Sequence, residues 1–155
     1  MKKFRVAVIG CGNISVMHLD SINALDEAQL VGVCDIKVER AQAAAEKYHT
    51  IAYTDYREMF EKEKPDVVHL CLPHYLHTIV ACDAFQAGIH VLSEKPMSIR
   101  YADAVEAVEL AEQCGVFYGV IFQCRYNTPS MLVKSRITDG RLGAVKCGRS
   151  VLTWY

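Results

Sequence analysis

The chain has 155 residues, of which 52% are hydrophobic, and 17 Lys and Arg stand against 18 Asp and Glu, a formal net charge of −1. That is one domain's length with a short extension, and enough apolar mass for a core. A charge so near zero, with no basic stripe, argues against nucleic acid or an anionic membrane as the main partner.

No apolar run approaches a membrane-spanning length. The apolar part of the N-terminus is short and broken by Arg5, unlike a secretion signal. The seven cysteines, Cys11, Cys34, Cys71, Cys82, Cys114, Cys124 and Cys147, are odd in number and scattered, and no C-x-x-C occurs. Free thiols in a reducing cytosol suit this pattern better than disulfides or zinc, so the expected location is cytoplasmic.

The stretch from Phe4 to Ser15, FRVAVIGCGNIS, reads as a strand, a glycine turn and the start of a helix. The run Val6–Ile9 is nearly unbroken apolar sequence, as in a parallel strand covered on both faces. Gly10 permits the sharp turn out of the strand. Gly12 leaves no Cβ between the backbone and an approaching pyrophosphate, and Asn13 and Ile14 open a helix whose N–H groups face that phosphate. Ser15 stands at the third position of G-x-G-x-x-G, small but not glycine.

The first helix is expected from about Asn13 to Leu25, with Ile14, Met17, Ile22 and Leu25 as its apolar positions. A second strand, Ala28–Cys34, ends in Asp35, about 20 residues past the glycines. An acidic residue there is placed to accept hydrogen bonds from an adenosine ribose, although it also suits the N-cap of the next helix. That helix runs from about Lys37 to Tyr48 and carries Val38, Ala41, Ala44 and Ala45.

A short strand near Ile51–Tyr53 follows. Asp55 and Glu58 form a capping box for a helix ending near Lys64, before Pro65. Asp66–Leu72 is a fourth strand, and the helix after it carries His77, Val80, Ala81 and Ala84 on one face and ends at Gly88. Ile89–Ser93 is a fifth strand, a helix capped by Ser98 runs to Cys114, and Val116–Phe122 is a sixth strand.

The alternation implies an α/β fold, a doubly wound parallel sheet of Rossmann type, with ligand outside the carboxyl ends of the strands. The chemistry-bearing residues obey that rule. Gly10–Asn13, Asp35, Pro73–His77, Glu94–Lys95 and Gln123–Arg125 each come just after a strand. No two histidines have metal-ligand spacing, and no metal is expected.

Together these clusters resemble the glucose-fructose oxidoreductase / inositol 2-dehydrogenase (Gfo/Idh/MocA) family. The most specific is Glu94-Lys95-Pro96. Pro73 and His77 match the family's Thr-Pro-Asn-x-x-His stretch, with Leu72 and His74 departing from its commonest residues. Phe122–Pro129 is similar to the arginine-containing segment after the sixth strand.

The resemblance implies a two-domain enzyme of about twice this length. On that reading residues 1–124 are the NAD(P)-binding domain. Residues 125–155 are a linker and the first strand, Gly143–Tyr155, of a truncated α+β domain that binds substrate and assembles a homo-oligomer. An acid/base histidine is then expected beyond Tyr155, and the fragment alone is expected to turn over nothing. Trp154 and Tyr155 are candidates to line the substrate cleft.

Candidate cofactor-binding residues are Gly10, Gly12, Asn13, Ile14, Asp35, Leu72, Pro73, His77, Glu94, Lys95, Pro96 and Arg125. By family analogy Lys95 is also the catalytic residue, its ammonium holding a substrate hydroxyl beside the nicotinamide; the plain alternative is a solvated lysine. Glu94 accepts from the nicotinamide ribose, orients Lys95, or is an ordinary surface carboxylate. The resemblance also implies a cis Lys95–Pro96 bond. His77 either bonds near the cofactor or merely packs, and Arg125 contacts the nicotinamide, the diphosphate or a carboxylate of the second domain. His18 reads as structural, and His49, His69 and His90 as residues without partners.

Asp35 repels a 2′-phosphate and favours NAD, whereas Lys37 and Arg40 leave NADP as the alternative. The activity implied is hydride transfer between nicotinamide and a secondary alcohol of a sugar or cyclitol. A cofactor-binding regulator that kept the fold and lost the chemistry is the competing reading. An adenosyl-methionine methyltransferase shares the glycine turn but gives Glu94-Lys95-Pro96 no role.

Overall fold

A computed structural model describes residues 3–151. The chain divides into two compact units, 1–121 and 122–155. In the first, strands β1 (Phe4–Ile9), β2 (Ala28–Cys34), β3 (Ala52–Tyr53), β4 (Val67–Leu70), β5 (His90–Ser93) and β6 (Tyr118–Val120) alternate with helices α1 (Ser15–Asn23), α2 (Val38–Tyr48), α3 (Tyr56–Glu63), α4 (His77–Gln86) and α5 (Tyr101–Cys114). The strands form one sheet in the order β3-β2-β1-β4-β5-β6. Every pairing is parallel.

The chain winds outward from β1 to β3 and returns beside β1 as β4. The switch point therefore lies between β1 and β4, where a crevice opens at the carboxyl edge. Alternating side chains of the strands bury on opposite faces. Ala7, Ile9, Val68 and Leu70 pack with Met59, Val80, Phe85 and Ala107 from α3, α4 and α5. Val6, Val8 and Val33 pack on the other face with Leu19, Ile22 and Tyr48 from α1 and α2. Both faces are covered, which is why the strands read as apolar runs.

Several local expectations are corrected. The inner face of α1 is Ser15, His18, Leu19 and Ile22. Met17 is 64% exposed, and Ile14 and Leu25 also face outward. Of the expected face of α2, Ala41 is buried but Val38 is exposed. Only half of the capping box forms. Asp55 accepts from the Arg57 N–H at 2.9 Å, whereas Glu58 pairs with Lys62 at 2.6 Å instead of reaching back. Ser98 accepts from the Arg100 N–H at 3.1 Å, but α5 begins only at Tyr101. The face expected of α4 is buried throughout, at His77, Val80, Ala81 and Ala84.

The second unit holds a 3-10 turn, Gln123–Tyr126, and a helix, α6 (Thr128–Thr138), which the sequence reading did not anticipate. Residues 143–151 have neither helix nor strand. The strand expected over Gly143–Tyr155 is therefore not formed over those nine, because a strand needs a neighbour to satisfy its ladder and none pairs with it among the described residues. Trp154 and Tyr155 lie outside the described residues.

Candidate active site

The carboxyl edge begins at Gly10, whose φ is +94°. A Cβ there would stand 2.2 Å from the main-chain oxygen of Cys71, just past β4. The position therefore requires glycine twice over, once for its backbone angle and once for the close approach of two strand ends. Gly12 differs, since a Cβ added to it would meet nothing within 4 Å. Among the described residues the N–H groups of Gly12, Asn13 and Ile14 find no acceptor. Ser15 is buried, and its hydroxyl donates to the Gly12 carbonyl at 2.6 Å. That bond fixes the turn from inside, so the residue replacing the third glycine braces the loop and leaves its outer side open.

Asp35 links this turn to β2. One carboxylate oxygen accepts from the Cys11 N–H and the other from the Lys37 N–H, both at 2.8 Å. It is not the N-cap of α2, a position held by Lys37 without a side-chain cap. The half-buried carboxylate keeps lone pairs for further donors, beside the open face of Gly12. Burial and the nearby Asp35 carboxylate push the Cys11 thiol up to about 12. Burial likewise pushes Cys34 up to about 12, and Cys71 is raised chiefly by burial. These thiols stay protonated and offer no nucleophile at neutral pH.

After β4, Leu72 and Pro73 lead into a 3-10 turn, His74–Leu76, and then α4. His77 is fully buried. Its Nδ1 lies 2.6 Å from the Pro96 carbonyl oxygen and its Nε2 2.9 Å from that of Leu72. Both ring nitrogens thus face main-chain carbonyl oxygens, each of which accepts only from a nitrogen that bears a proton, and the ring sits between the loop after β4 and the loop after β5. A direct bond from His77 to a cofactor has no free ring atom to make it.

The Lys95–Pro96 peptide is cis. Lys95 is exposed, and its ammonium makes no hydrogen bond or ion pair among the described residues. Glu94 is not a surface carboxylate, being only 7% exposed. Its Oε2 accepts from the Lys95 N–H at 3.2 Å, and its Oε1 lies 3.3 Å from His18 Nε2. His69, expected to be partnerless, faces His18 with the two Nδ1 atoms 3.0 Å apart. The sequence reading missed this cluster because its members lie on α1, on β4 and just after β5, far apart in the chain. Arg125 sits exposed on the 3-10 turn of the second unit.

Among the described residues no group of three or more His, Cys, Asp or Glu side chains could hold a metal ion. What the edge offers instead is an open glycine turn, unpaired main-chain donors, a carboxylate ending the second strand and a free ammonium after the fifth. These residues fit a dinucleotide, with phosphate on the turn and ribose near the carboxylate. The fold and the site together define a dinucleotide-binding domain.

A family model described as an oxidoreductase family with an NAD-binding Rossmann fold matches residues 4–122. The chain belongs to that family, Gfo/Idh/MocA. It is 34% identical over 146 residues to the D-glucoside 3-dehydrogenase of Escherichia coli strain K12, covering 91% of this chain and 41% of the relative. It is 28% identical over 140 residues to the myo-inositol 2-dehydrogenase of Thermotoga maritima, covering 90% of this chain and 42% of the relative. A crystal structure of the WlbA dehydrogenase from Bordetella pertussis in complex with NADH and UDP-GlcNAcA superposes with a TM-score of 0.89 at 36% identity, covering 92% of this chain and 44% of that one. The chain thus spans about two fifths of the length of these relatives. No helix among the described residues is long and apolar enough to cross a membrane.

Proposed function

We propose that this chain is the cofactor-binding part of an NAD-dependent dehydrogenase that oxidises a secondary alcohol of a sugar or cyclitol-like polyol. One observation carries the reading: Lys95, exposed and unpaired among the described residues, sits beyond β5 at the same sheet edge as the open turn at Gly12. Nicotinamide, when bound, supplies the hydride acceptor.

The chain's own residues do the rest. The Gly12, Asn13 and Ile14 N–H groups bind the diphosphate, and Gly10 sets the turn that presents them. Asp35 accepts from the adenosine ribose and disfavours a 2′-phosphate. Leu72 and Pro73 line the nicotinamide side, where His77 holds their loop against Pro96. The Lys95 ammonium holds the substrate hydroxyl and favours its alkoxide as the carbon–hydrogen bond breaks. Glu94 orients that lysine.

The names of the relatives support a polyol or sugar substrate, and a cytoplasmic homo-oligomer is the form we propose. The test is NADH production from a panel of polyols by a polypeptide extended to the relatives' length, with and without Lys95→Met. Turnover abolished by the variant, with NADH binding retained, supports the reading. Turnover unaffected by it refutes the lysine's role.

A further inference from the structure

Beside the Lys95 main chain, Glu94 meets two further ionisable side chains, His18 and His69. His18 on α1 is 5% exposed and Glu94 is 7% exposed. His69 on β4 is half-buried. The order of their protons follows from what each atom can do. The Glu94 carboxylate only accepts, so the Lys95 N–H donates to Oε2 and His18 Nε2–H donates to Oε1.

A neutral His18 with its proton on Nε2 carries a lone pair on Nδ1. The atom facing that lone pair at 3.0 Å is His69 Nδ1, which must then bear the other proton and donate it. His69 is suited to this neutral role, because burial is the chief cause that lowers its pKa to about 4. Every donor in the chain thus points toward the carboxylate, and among the described residues no buried side-chain nitrogen or oxygen is left without a partner.

A buried carboxylate held on both oxygens has one orientation. One of its two donors is the main chain of the very next residue, the exposed lysine. We propose that His69 and His18 brace the Glu94 carboxylate, and through it the Lys95 main chain, in the orientation from which the lysine reacts. Both histidines are therefore positioning residues. This rests on the reading of Lys95 as the reacting ammonium.

The test needs neither cofactor nor turnover. Long-range proton–nitrogen NMR of the histidine rings of the protein at pH 7 reads the tautomers. His69 protonated on Nδ1 and His18 protonated on Nε2 are expected, and His18 protonated on Nδ1 alone overturns the brace. Hydrogen exchange at the Lys95 amide reads its consequence. His18→Leu is expected to speed that exchange by about tenfold or more while leaving the β1 amides unchanged. His18→Gln, which restores a side-chain N–H, is expected to return it to within about threefold of wild type. Equal Lys95 exchange in wild type and His18→Leu overturns the proposal. Should His18→Leu fail to fold, His69→Leu is read in the same way. A Lys95→Met variant that still transfers hydride defeats the lysine's role and leaves these readouts standing, so the two failures are distinguishable.

Discussion

Substituting the two glycines of the turn separates the fold from the site. At Gly10 the φ of +94° costs an L-residue about 1–2 kcal/mol. The new Cβ would start 2.2 Å from the Cys71 carbonyl oxygen. Carbon and oxygen in ordinary contact keep roughly 3.3 Å, so the two strand ends must part by about 1 Å. They cannot part freely, because the Cys71 N–H donates to the Ile9 carbonyl at 2.8 Å. Overpacking of this kind adds about 1–3 kcal/mol.

The total for Gly10→Ala is about 2–5 kcal/mol, a drop in Tm of roughly 10 °C for a domain of this size. Gly12→Ala meets no atom within 4 Å and has no left-handed φ, so its methyl costs the fold nothing. The methyl instead occupies the space through which phosphate would approach. Thermal unfolding followed by circular dichroism, with NADH titration by fluorescence, checks both variants. Gly10→Ala is expected to lose stability. Gly12→Ala is expected to keep its Tm within about 2 °C and to bind NADH at least about tenfold more weakly, some 1.4 kcal/mol. A Gly12→Ala protein that binds NADH as wild type does would refute the placement of the diphosphate.

Asp35→Asn keeps an acceptor for only one of the Cys11 and Lys37 amides and removes the charge, and the NADPH-to-NADH affinity ratio is expected to rise on the order of tenfold in parallel titrations. Asp35→Ala in addition strands those two N–H groups and is expected to cost about 1–2 kcal/mol in a urea melt. The unfolded chain protonates His69 near pH 6.5 while the folded state resists until about 4, so stability should be complete above 6.5 and fall as pH drops toward 4. That loss should amount to about 2–3 kcal/mol, visible in urea midpoints and removed by His69→Leu. Iodoacetamide at pH 8 should label Cys114, Cys124 and Cys147, which are exposed, well before Cys11, Cys34 and Cys71, as mass spectrometry of timed samples would show.

The sheet was legible because its strands are covered on both faces and so spell apolar runs, and because glycines and prolines punctuate the helices between them. The edge was legible because Gly10 and Asp35 follow their strands directly and Pro73 and Lys95 come within three residues of theirs. The inner face of α1 was not. Ser15 and His18 are polar yet buried, since the Gly12 carbonyl, Glu94 and His69 satisfy their hydrogen bonds. Local periodicity cannot register partners 51 and 76 residues away, and it assigned the face to Met17 and Leu25 instead. The same long-range closure hid the inward turn of Glu94 and the sealed ring of His77. Helix α6 carried one signal, the proline at its start, but all its apolar residues are exposed and none marks a buried stripe.

A crystal structure with NADH bound tests the central claim most directly. The account predicts the diphosphate against the Gly12, Asn13 and Ile14 amides, at about 3 Å. It also places the Lys95 Nζ within hydrogen-bond reach of the nicotinamide ribose or the space above its ring. A diphosphate bound away from the glycine turn, or a Lys95 Nζ more than about 6 Å from the nicotinamide riboside, would contradict it.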